Sequence, residues 1–414
     1  MPSSERKMGR AEEGQESMST GNGQKVADRS HPLVAEPQLE ESEPAKQEPE
    51  EQPAHARQRL TSLDAFRGLT ILLMLLVNNI ALDVFTPAQL VHAPWNETPR
   101  LADYVFPWFL LCIGLSLPFS AKSAKDKGKP RWQLELRIIL RASALILLGC
   151  ILESAAEKKP VFSMGVLQLL GFAYLAGAWL YELPALRRAV VAGFLLLGYG
   201  FALKFMPNPG SSIGNLTESG NLVNTINRMF MGSFNLEGVS SAIPTGALVV
   251  IGSIMGDAIL AFRDKPLQLL ARLVISGVGL LVIGLIAGVW IPFNKAIWTP
   301  SFILLAGGAG VLVLALFHLT TDAIAKRNWA MPPVVFGSNA IVAYFVPILV
   351  KLTMLQVWMV NTSKGKMSLI DGTLAWFVDH FGRIAGGWSY TIFYIGVWWL
   401  VLYAMYRKKM FLRV

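Results

Sequence analysis

The residues best suited to acid–base chemistry lie close together, between positions 64 and 103 of the chain. Asp64 and Arg67 share one face of a helix at their spacing, either as part of a site or as an ion pair that anchors the helix start. His92 can act as a base, an acid or a nucleophile near neutral pH, although a lone loop histidine is more often only solvated. Asp103 either orients this imidazole or caps the helix that begins there.

Asn78 and Asn79 place two adjacent amides inside an apolar block, where each amide needs a hydrogen-bonding partner. Adjacent side chains on a helix point about 100° apart, so we expect at most one of them to face a given site. Both cysteines, Cys112 and Cys150, lie in apolar segments, and no second histidine or cysteine stands at metal-ligand spacing. The pattern predicts neither a disulfide framework nor a metal site, and the lack of a Walker loop argues against an ATP-driven pump.

The composition indicates that membrane-spanning elements position these residues. Of the 414 residues, 53% are hydrophobic and 16% are charged, against roughly 25% charged in soluble domains. After residue 60 the apolar residues form blocks of about 20, long enough to cross a hydrocarbon core of ~30 Å. The sequence therefore predicts an all-α polytopic membrane protein with about 10 transmembrane helices. The predicted spans cover residues 67–86, 102–119, 134–152, 161–181, 186–205, 242–261, 267–291, 299–320, 332–359 and 388–406.

Residues 1–56 differ from the rest of the chain, since they are rich in glutamate and proline and almost free of aromatic side chains. Such a segment cannot bury enough apolar surface to offset its ordering entropy, so we predict a disordered cytoplasmic tail ahead of a transmembrane domain at 57–414. Lys and Arg concentrate in alternate connections between the spans, which predicts that both termini are cytoplasmic. The basic residues that give the formal charge of +9 lie in short gaps between the apolar blocks. They form no continuous patch of the kind that indicates nucleic-acid binding.

Other ionisable residues in or near the spans receive a structural interpretation. Lys351 is expected to snorkel to the outer interface, Asp257 and His318 to lie near cytoplasmic ends, and Glu153 to fall at an outer boundary. The two long outer connections, rich in Gly, Asn and Ser, are expected to fold over the outer mouth of the bundle.

A series of short runs follows in order along the membrane region. These runs are Leu63-Asp64-Ala65-Phe66-Arg67-Gly68, Val77-Asn78, His92-Ala93-Pro94-Trp95-Asn96, Ala102-Asp103-Tyr104-Val105-Phe106-Pro107-Trp108-Phe109, Glu237-Gly238, Ile243-Pro244, Asn294-Lys295-Ala296-Ile297-Trp298-Thr299-Pro300-Ser301 and Val335-Phe336-Gly337-Ser338-Asn339-Ala340. Together they resemble the catalytic core of the heparan-α-glucosaminide N-acetyltransferase family. The histidine block and the Asn-Lys-x-x-Trp-Thr-x-Ser block are specific, whereas the first run is shared more loosely with other membrane acyltransferases.

The resemblance implies an enzyme that uses acetyl-CoA to acetylate the free amine of a terminal glucosamine on the far side of the membrane. It implies that His92 is the active-site histidine and that Asn78 is its helper asparagine. The chemistry of acyl transfer makes Asn78 the candidate donor to the thioester carbonyl or the oxyanion, and Asp103 the candidate acid that orients the imidazole. Substrate or cofactor binding is expected of Asp64, Arg67, Trp95, Asn96, Asn294, Lys295, Trp298, Ser301 and Asn339.

The setting implied by the resemblance is a bacterial inner (plasma) membrane, because the chain begins without an apolar signal segment. We then expect an amino sugar or glycan other than heparan sulfate as the acceptor. The sequence also permits a homodimer.

Two other classes of protein stay open on the sequence. A polysaccharide O-acyltransferase would use the same kind of histidine, and a solute transporter would line a pathway with the same polar groups without breaking a bond. The histidine block and the lack of a visible internal repeat favour an enzyme.

The charges of the connections provide a direct test of the topology. In a background without the native cysteines, Glu97→Cys is expected to react with an impermeant maleimide in intact cells. Lys125→Cys is expected to stay unlabelled, because it lies in the basic connection at 122–131. Labelling of Lys125→Cys alone would invert the orientation and place His92 in the cytoplasm.

Overall fold

The computed structural model of the protein describes residues 60–230, 237–362 and 365–412, and within these ranges the chain is mostly helical. The predicted tail at 1–56 lies outside the described residues. The helices are α1 (Thr61–Asn79), α2 (Leu101–Asp126), α3 (Arg131–Glu157), α4 (Val166–Leu180), α5 (Ala185–Phe205), α6 (Leu222–Phe230), α7 (Ala242–Ala261), α8 (Pro266–Gly288), α9 (Pro300–Phe317), α10 (Met331–Ser338), α11 (Ala340–Val350), α12 (Leu369–Phe381) and α13 (Arg383–Arg407). A short antiparallel hairpin pairs β1 (Met359–Thr362) with β2 (Gly365–Ser368).

The helix lengths agree with a membrane protein. Eight of the described helices are long and apolar enough to cross a membrane, and the pair α10–α11, bent by 66°, makes a ninth if it is counted as one span. The helix α4 has only 15 residues and falls within the predicted span at 161–181. The prediction of an all-α polytopic membrane protein is therefore confirmed, while the predicted count of about 10 requires the short α4 to be included.

The first predicted span, at 67–86, is misplaced, because α1 covers Thr61–Asn79. The Lys351 ammonium donates to the Asn78 carbonyl (3.2 Å) and so satisfies one of the open carbonyl groups at the helix end. Ile80 is extended, and the chain continues in short 3₁₀ turns. Hydrophobicity alone does not locate this end, because the residues just after it are as apolar as those before it.

Residues distant in sequence meet at the two ends of the helix bundle, which we name the His92 end and the Asp322 end. At the Asp322 end, the Asp322 carboxylate, which follows α9, accepts the Ser62 backbone N–H at the start of α1 (3.3 Å). At the His92 end, the Arg383 guanidinium at the start of α13 pairs with Asp83, which follows α1. The helix α1 therefore runs from the Asp322 end to the His92 end, and α13 runs the opposite way.

The helices α1 and α10 pack with their backbones in contact. An added Cβ on Gly68 would lie 1.6 Å from the Pro333 carbonyl oxygen, and one on Gly337 would lie 2.0 Å from the Asp64 carbonyl oxygen. Small residues allow this approach, which is a main source of helix association in lipid. The contact also brings Arg67 within hydrogen-bonding distance of the Gly337 carbonyl (3.3 Å).

Gly68→Ala is expected to lower the free energy of unfolding by about 3 kcal/mol, because the methyl group meets backbone atoms that cannot move independently. The matched control is Gly193→Ala on α5, where nothing lies within 4 Å of the added Cβ and alanine favours the helix. The midpoint of thermal unfolding in detergent, monitored by size-exclusion chromatography, is measured for both variants. Equal midpoints for the two proteins would contradict this packing.

Candidate active site

His92 and Asp103 form a hydrogen-bonded pair at the His92 end. His92 lies in the connection between α1 and α2, its side chain is 54% exposed, and its Nδ1 is 2.8 Å from Asp103 Oδ1. The Asp103 side chain, in the first turn of α2, is 4% exposed, and its Oδ2 accepts the backbone N–H groups of Ala93 (3.1 Å) and Arg100 (2.8 Å). Asp103 therefore contacts the imidazole and also caps the start of α2.

The chemistry open to this pair follows from its hydrogen bonds. A carboxylate only accepts, so Nδ1 of His92 is assigned the proton and Nε2 the free lone pair. Such a lone pair can take a proton from a reacting group or accept an acyl group. Within the described residues, no group of three or more His, Cys, Asp or Glu side chains is arranged to hold a metal ion.

Trp95 and Asn96 join the connection that carries His92 to two other connections between helices by hydrogen bonds. The Trp95 indole N–H and the Asn96 amide both donate to the Leu216 carbonyl, at 2.7 and 3.2 Å. The Asn96 Oδ1 accepts a hydrogen bond from Asn294 Nδ2 (2.9 Å), in the connection between α8 and α9. Residues predicted from two separate motifs thus meet at the His92 end, where the Asn96 side chain is exposed.

The other residues of the Asn-Lys-x-x-Trp-Thr-x-Ser block differ in exposure. Trp298 is fully buried and its indole N–H donates to Glu237 Oε2 (3.0 Å). Ser301 is also fully buried, and its hydroxyl donates to the Ile291 carbonyl (2.7 Å). Lys295 is only half-buried and stays a candidate for direct contact with a substrate. The structure favours a supporting role for Trp298 and Ser301 over the predicted contact with substrate.

Asn78 and Asn79 form the last turn of α1. Asn79 is 8% exposed, and its amide donates to the Leu75 carbonyl (2.8 Å) and accepts from Lys351 Nζ (3.0 Å). Asn78 is exposed, so only one of the two adjacent amides, that of Asn79, is buried in the bundle. No hydrogen bond joins Asn78 to His92 within the described ranges, and its role as helper stays a prediction.

Asp64 and Arg67 lie away from His92, toward the Asp322 end. Arg67 Nη1 is 3.4 Å from Asp64 Oδ1, so the two charges share one face as their spacing predicts. Arg67 Nη2 donates to Ser116 Oγ on α2 (3.1 Å). All three residues line a cavity of about 1060 Å³, whose walls also include residues of α3 and α10.

Positive charge dominates this cavity. Among its described lining residues, the cations are Arg67, Lys127, Arg137 and Arg141, and the anion is Asp64. Sequence reasoning did not select Arg137 and Arg141 as site residues. The available signal was their position inside the predicted span at 134–152, where an unpaired charge is costly in lipid.

The helix α2 runs past both the histidine pair and the cavity. Phe109 is the cavity-lining residue of α2 nearest to Asp103 in sequence, and the two are separated by about 9 Å along the helix axis. Ser116, which binds Arg67, is about 20 Å from Asp103 on the same scale. Aromatic rings, including those of Tyr104 and Trp108, lie on α2 between Asp103 and the first cavity-lining residue.

Asn339 occupies the break between α10 and α11. It is fully buried, its Nδ2 donates to the Met410 carbonyl (3.0 Å), and its Oδ1 accepts the Leu412 N–H (2.9 Å). Asn339 therefore holds the segment after α13 beside the cavity, which Leu412 lines. Because both ends of the amide are engaged by backbone, the geometry favours this supporting role over the predicted contact with substrate.

The fold and the site define a polytopic α-helical membrane protein with a histidine–aspartate pair at one end and a cation-lined cavity toward the other. The family model for the catalytic region of heparan-alpha-glucosaminide N-acetyltransferase matches residues 59–260, which contain the histidine pair. This match supports the resemblance to the heparan-alpha-glucosaminide N-acetyltransferase family that the motifs of the chain carry.

Two curated relatives align with most of the chain. The heparan-alpha-glucosaminide N-acetyltransferase of Mus musculus is 24% identical over 425 residues, and that of Homo sapiens is 25% identical over 426 residues. Each alignment covers 86% of this chain, and the chain spans about 60% of the length of each relative.

Asp103→Ala removes the acceptor for two backbone N–H groups, so the connection that carries His92 should loosen. Hydrogen bonds to charged groups contribute about 1.5–3 kcal/mol each, and we expect hydrogen exchange at Ala93 and Arg100 to accelerate by about tenfold or more. The control is Asp83→Ala, since that carboxylate lies in the same connection but is 77% exposed. Hydrogen–deuterium exchange of the peptide at 91–100 measures both variants, and unchanged exchange in Asp103→Ala would refute the anchoring role.

Proposed function

We propose that this chain is a membrane-embedded acetyltransferase that moves the acetyl group of acetyl-CoA onto the amine of an amino sugar or glycan. The observation that carries the proposal is the arrangement along α2, with the histidine–aspartate pair at its start and the cation-lined cavity beginning about 9 Å further on. The names of the relatives, which describe N-acetyl transfer to a glucosaminide, support the same chemistry.

The cavity suits acetyl-CoA because the nucleotide part of this molecule carries several phosphate groups. Four cationic side chains line the cavity against one carboxylate, and arginine binds phosphate through paired hydrogen bonds. The arm that bears the acetyl group then extends along α2 toward His92. Because the basic connections predict a cytoplasmic Asp322 end, we propose that the donor enters from the cytoplasm.

At the other end, His92 is the proposed general base. Asp103 holds Nδ1 protonated, so Nε2 takes the proton from the attacking amine. The N–C bond forms at the thioester carbonyl, the C–S bond breaks, and the imidazolium returns the proton to the leaving thiolate. Asn78, exposed at the end of α1, is the proposed donor to the oxyanion.

We favour this direct transfer over an acetyl-histidine intermediate. The His92 side chain is 54% exposed, and an acyl-imidazole in contact with water is readily hydrolysed. The proposed acceptor reaches the protein at the His92 end, which the predicted topology places outside the cytoplasm. We propose the inner membrane of a bacterium as the setting.

Purified protein incubated with radiolabelled acetyl-CoA and a panel of acceptors tests the proposal. Transfer of label to the amine of glucosamine or a glucosaminide is expected. Transfer to hydroxyl groups alone would identify an O-acyltransferase. Folded protein that moves a solute across vesicles but transfers no label would be a transporter and would overturn the proposal.

His92→Ala is expected to lower turnover by about 10² to 10⁴, the usual contribution of a general base. Because the side chain is exposed, protein yield and unfolding midpoint should hardly change. The matched control is His380→Ala, which alters an exposed histidine of α12 and should retain activity.

Two outcomes of this experiment would change the mechanism. Near-normal acetyl transfer by well-folded His92→Ala protein would remove the histidine from the chemistry. Release of CoA with retention of label by the unaltered protein, in the absence of acceptor, would show a covalent acetyl-enzyme in place of direct transfer.

A further inference from the structure

A second, smaller cavity adjoins the cation-lined one, toward the Asp322 end of α2, α3 and α4. Its volume is about 250 Å³, many times the roughly 10–15 Å³ that one water molecule needs. Ser120, Arg137 and Tyr174 line both cavities, so the two spaces meet at these side chains. We call the smaller cavity the Trp179 compartment, after an aromatic residue of its wall.

One wall of the Trp179 compartment is aromatic. Tyr174 and Trp179 lie on α4, Tyr181 follows directly after this helix, and all three line the cavity. Much of the remaining wall is apolar and comes from α2 and α3. Aromatic side chains offer a surface on which a flat heteroaromatic ring stacks. The shape and the lining therefore suit a planar, uncharged ring system.

Two carboxylates line the same compartment. Glu135 Oε1 accepts from Arg131 Nε (3.1 Å), and Glu182 Oε2 accepts from Arg131 Nη2 (2.5 Å). The second oxygen of each carboxylate takes no hydrogen bond from the described residues, so an amino group on a bound ring can donate to it. The same carboxylates repel a phosphate group, which is directed instead to the cation-lined cavity.

Two arginines lie where the cavities meet. The ion pairs of the described residues do not include Arg137, which lines both spaces. The Arg141 guanidinium lies over the Tyr174 ring, 4.9 Å from its centroid, and its buried Nε lacks an acceptor within the part of the chain that the structure describes. Both groups are thus able to bind phosphate beside the Trp179 compartment.

The order of these spaces along α2 matches the order of the parts of acetyl-CoA. The cation-lined cavity begins at Phe109, and Ser120, which lines both cavities, is about 26 Å from Asp103 along the helix axis. In acetyl-CoA the acetyl group is followed by a flexible arm, then by phosphates, and at the far end by adenine. Adenine is flat, uncharged and carries an amino group, as the compartment requires.

We infer that the Trp179 compartment binds the adenine base of the donor, with Arg137 and Arg141 binding its phosphates. The identity of the donor as acetyl-CoA rests on the proposed function. The base is remote from the reacting carbonyl, so its contacts are the same in the ground state and the transition state. They therefore lower the KM for the donor without raising kcat.

Photoaffinity labelling locates the base without requiring acetyl transfer. The full chain in detergent is irradiated with CoA that carries an azido group on its adenine ring, and the labelled peptides are identified by mass spectrometry. We expect label within residues 131–138 or 174–182, and excess unmodified CoA should remove it. Label at other positions, or no label that CoA removes, would overturn the inference.

Trp179→Leu keeps an apolar side chain but removes the ring. It should raise the KM for acetyl-CoA by about tenfold, because a stacking partner is lost, and leave kcat unchanged. Acetyl-pantetheine has no nucleotide, so its KM should be the same in the variant and the unaltered protein. The matched control is Trp290→Leu, which alters a tryptophan after α8 that is 68% exposed, against 56% for Trp179.

Ala121→Phe fills the Trp179 compartment from α2 and provides a second variant with the same expected result. An unchanged KM for acetyl-CoA in both folded variants, or an equal rise for acetyl-pantetheine, would contradict the base site. The inference and the proposed function can fail separately. If azido-CoA labels the compartment but no acetyl group is transferred, the proposed function fails and the nucleotide site stands. If acetyl transfer occurs and the label lies elsewhere, only the inference fails.

Discussion

Backbone contact between helices is the constraint on which both ends of the protein depend. Lipid tails are as apolar as the helices, so helix association in a membrane relies on close packing. On α2 and α7, an added Cβ on Gly114 would lie 2.1 Å from the Val249 carbonyl oxygen, and one on Gly252 would lie 2.6 Å from the Leu111 carbonyl oxygen. The middle of α2 is therefore held against α7, and the helix itself sets the distance between Asp103 and the cavity-lining residues that it carries.

Aromatic rings separate the two ends of the bundle. Trp298 packs against Phe106 and donates to Glu237, while the Trp108 indole N–H donates to the Ala306 carbonyl (3.1 Å). Both indoles are thus satisfied by protein groups without water. On the proposed function, the acetyl group crosses this layer on the arm of its donor, so neither the nucleotide nor the sugar has to pass through the bundle.

Two histidine–aspartate pairs of the protein differ in their exposure. The His318 side chain is 4% exposed, with Nδ1 3.5 Å from Asp322 and Nε2 3.1 Å from the Pro266 carbonyl, so both ring nitrogens are engaged. The His92 side chain is 54% exposed, and among the described residues only its Nδ1 has a hydrogen-bonding partner. The two residue types are the same in both pairs, and only the fold distinguishes an exposed imidazole from a buried one that joins two helices.

The sequence by itself determined the membrane class, the approximate spans and the histidine motif, because apolar block length and local motifs are properties of contiguous residues. It also predicted that Asp64 and Arg67 share a helix face. Only the tertiary structure decided that Lys351 contacts the end of α1, that Trp298 is buried, and that Asn339 holds the segment after α13. These outcomes depend on contacts between helices that are far apart in the chain. The apolar pattern of a helix does not specify which other helix packs against it.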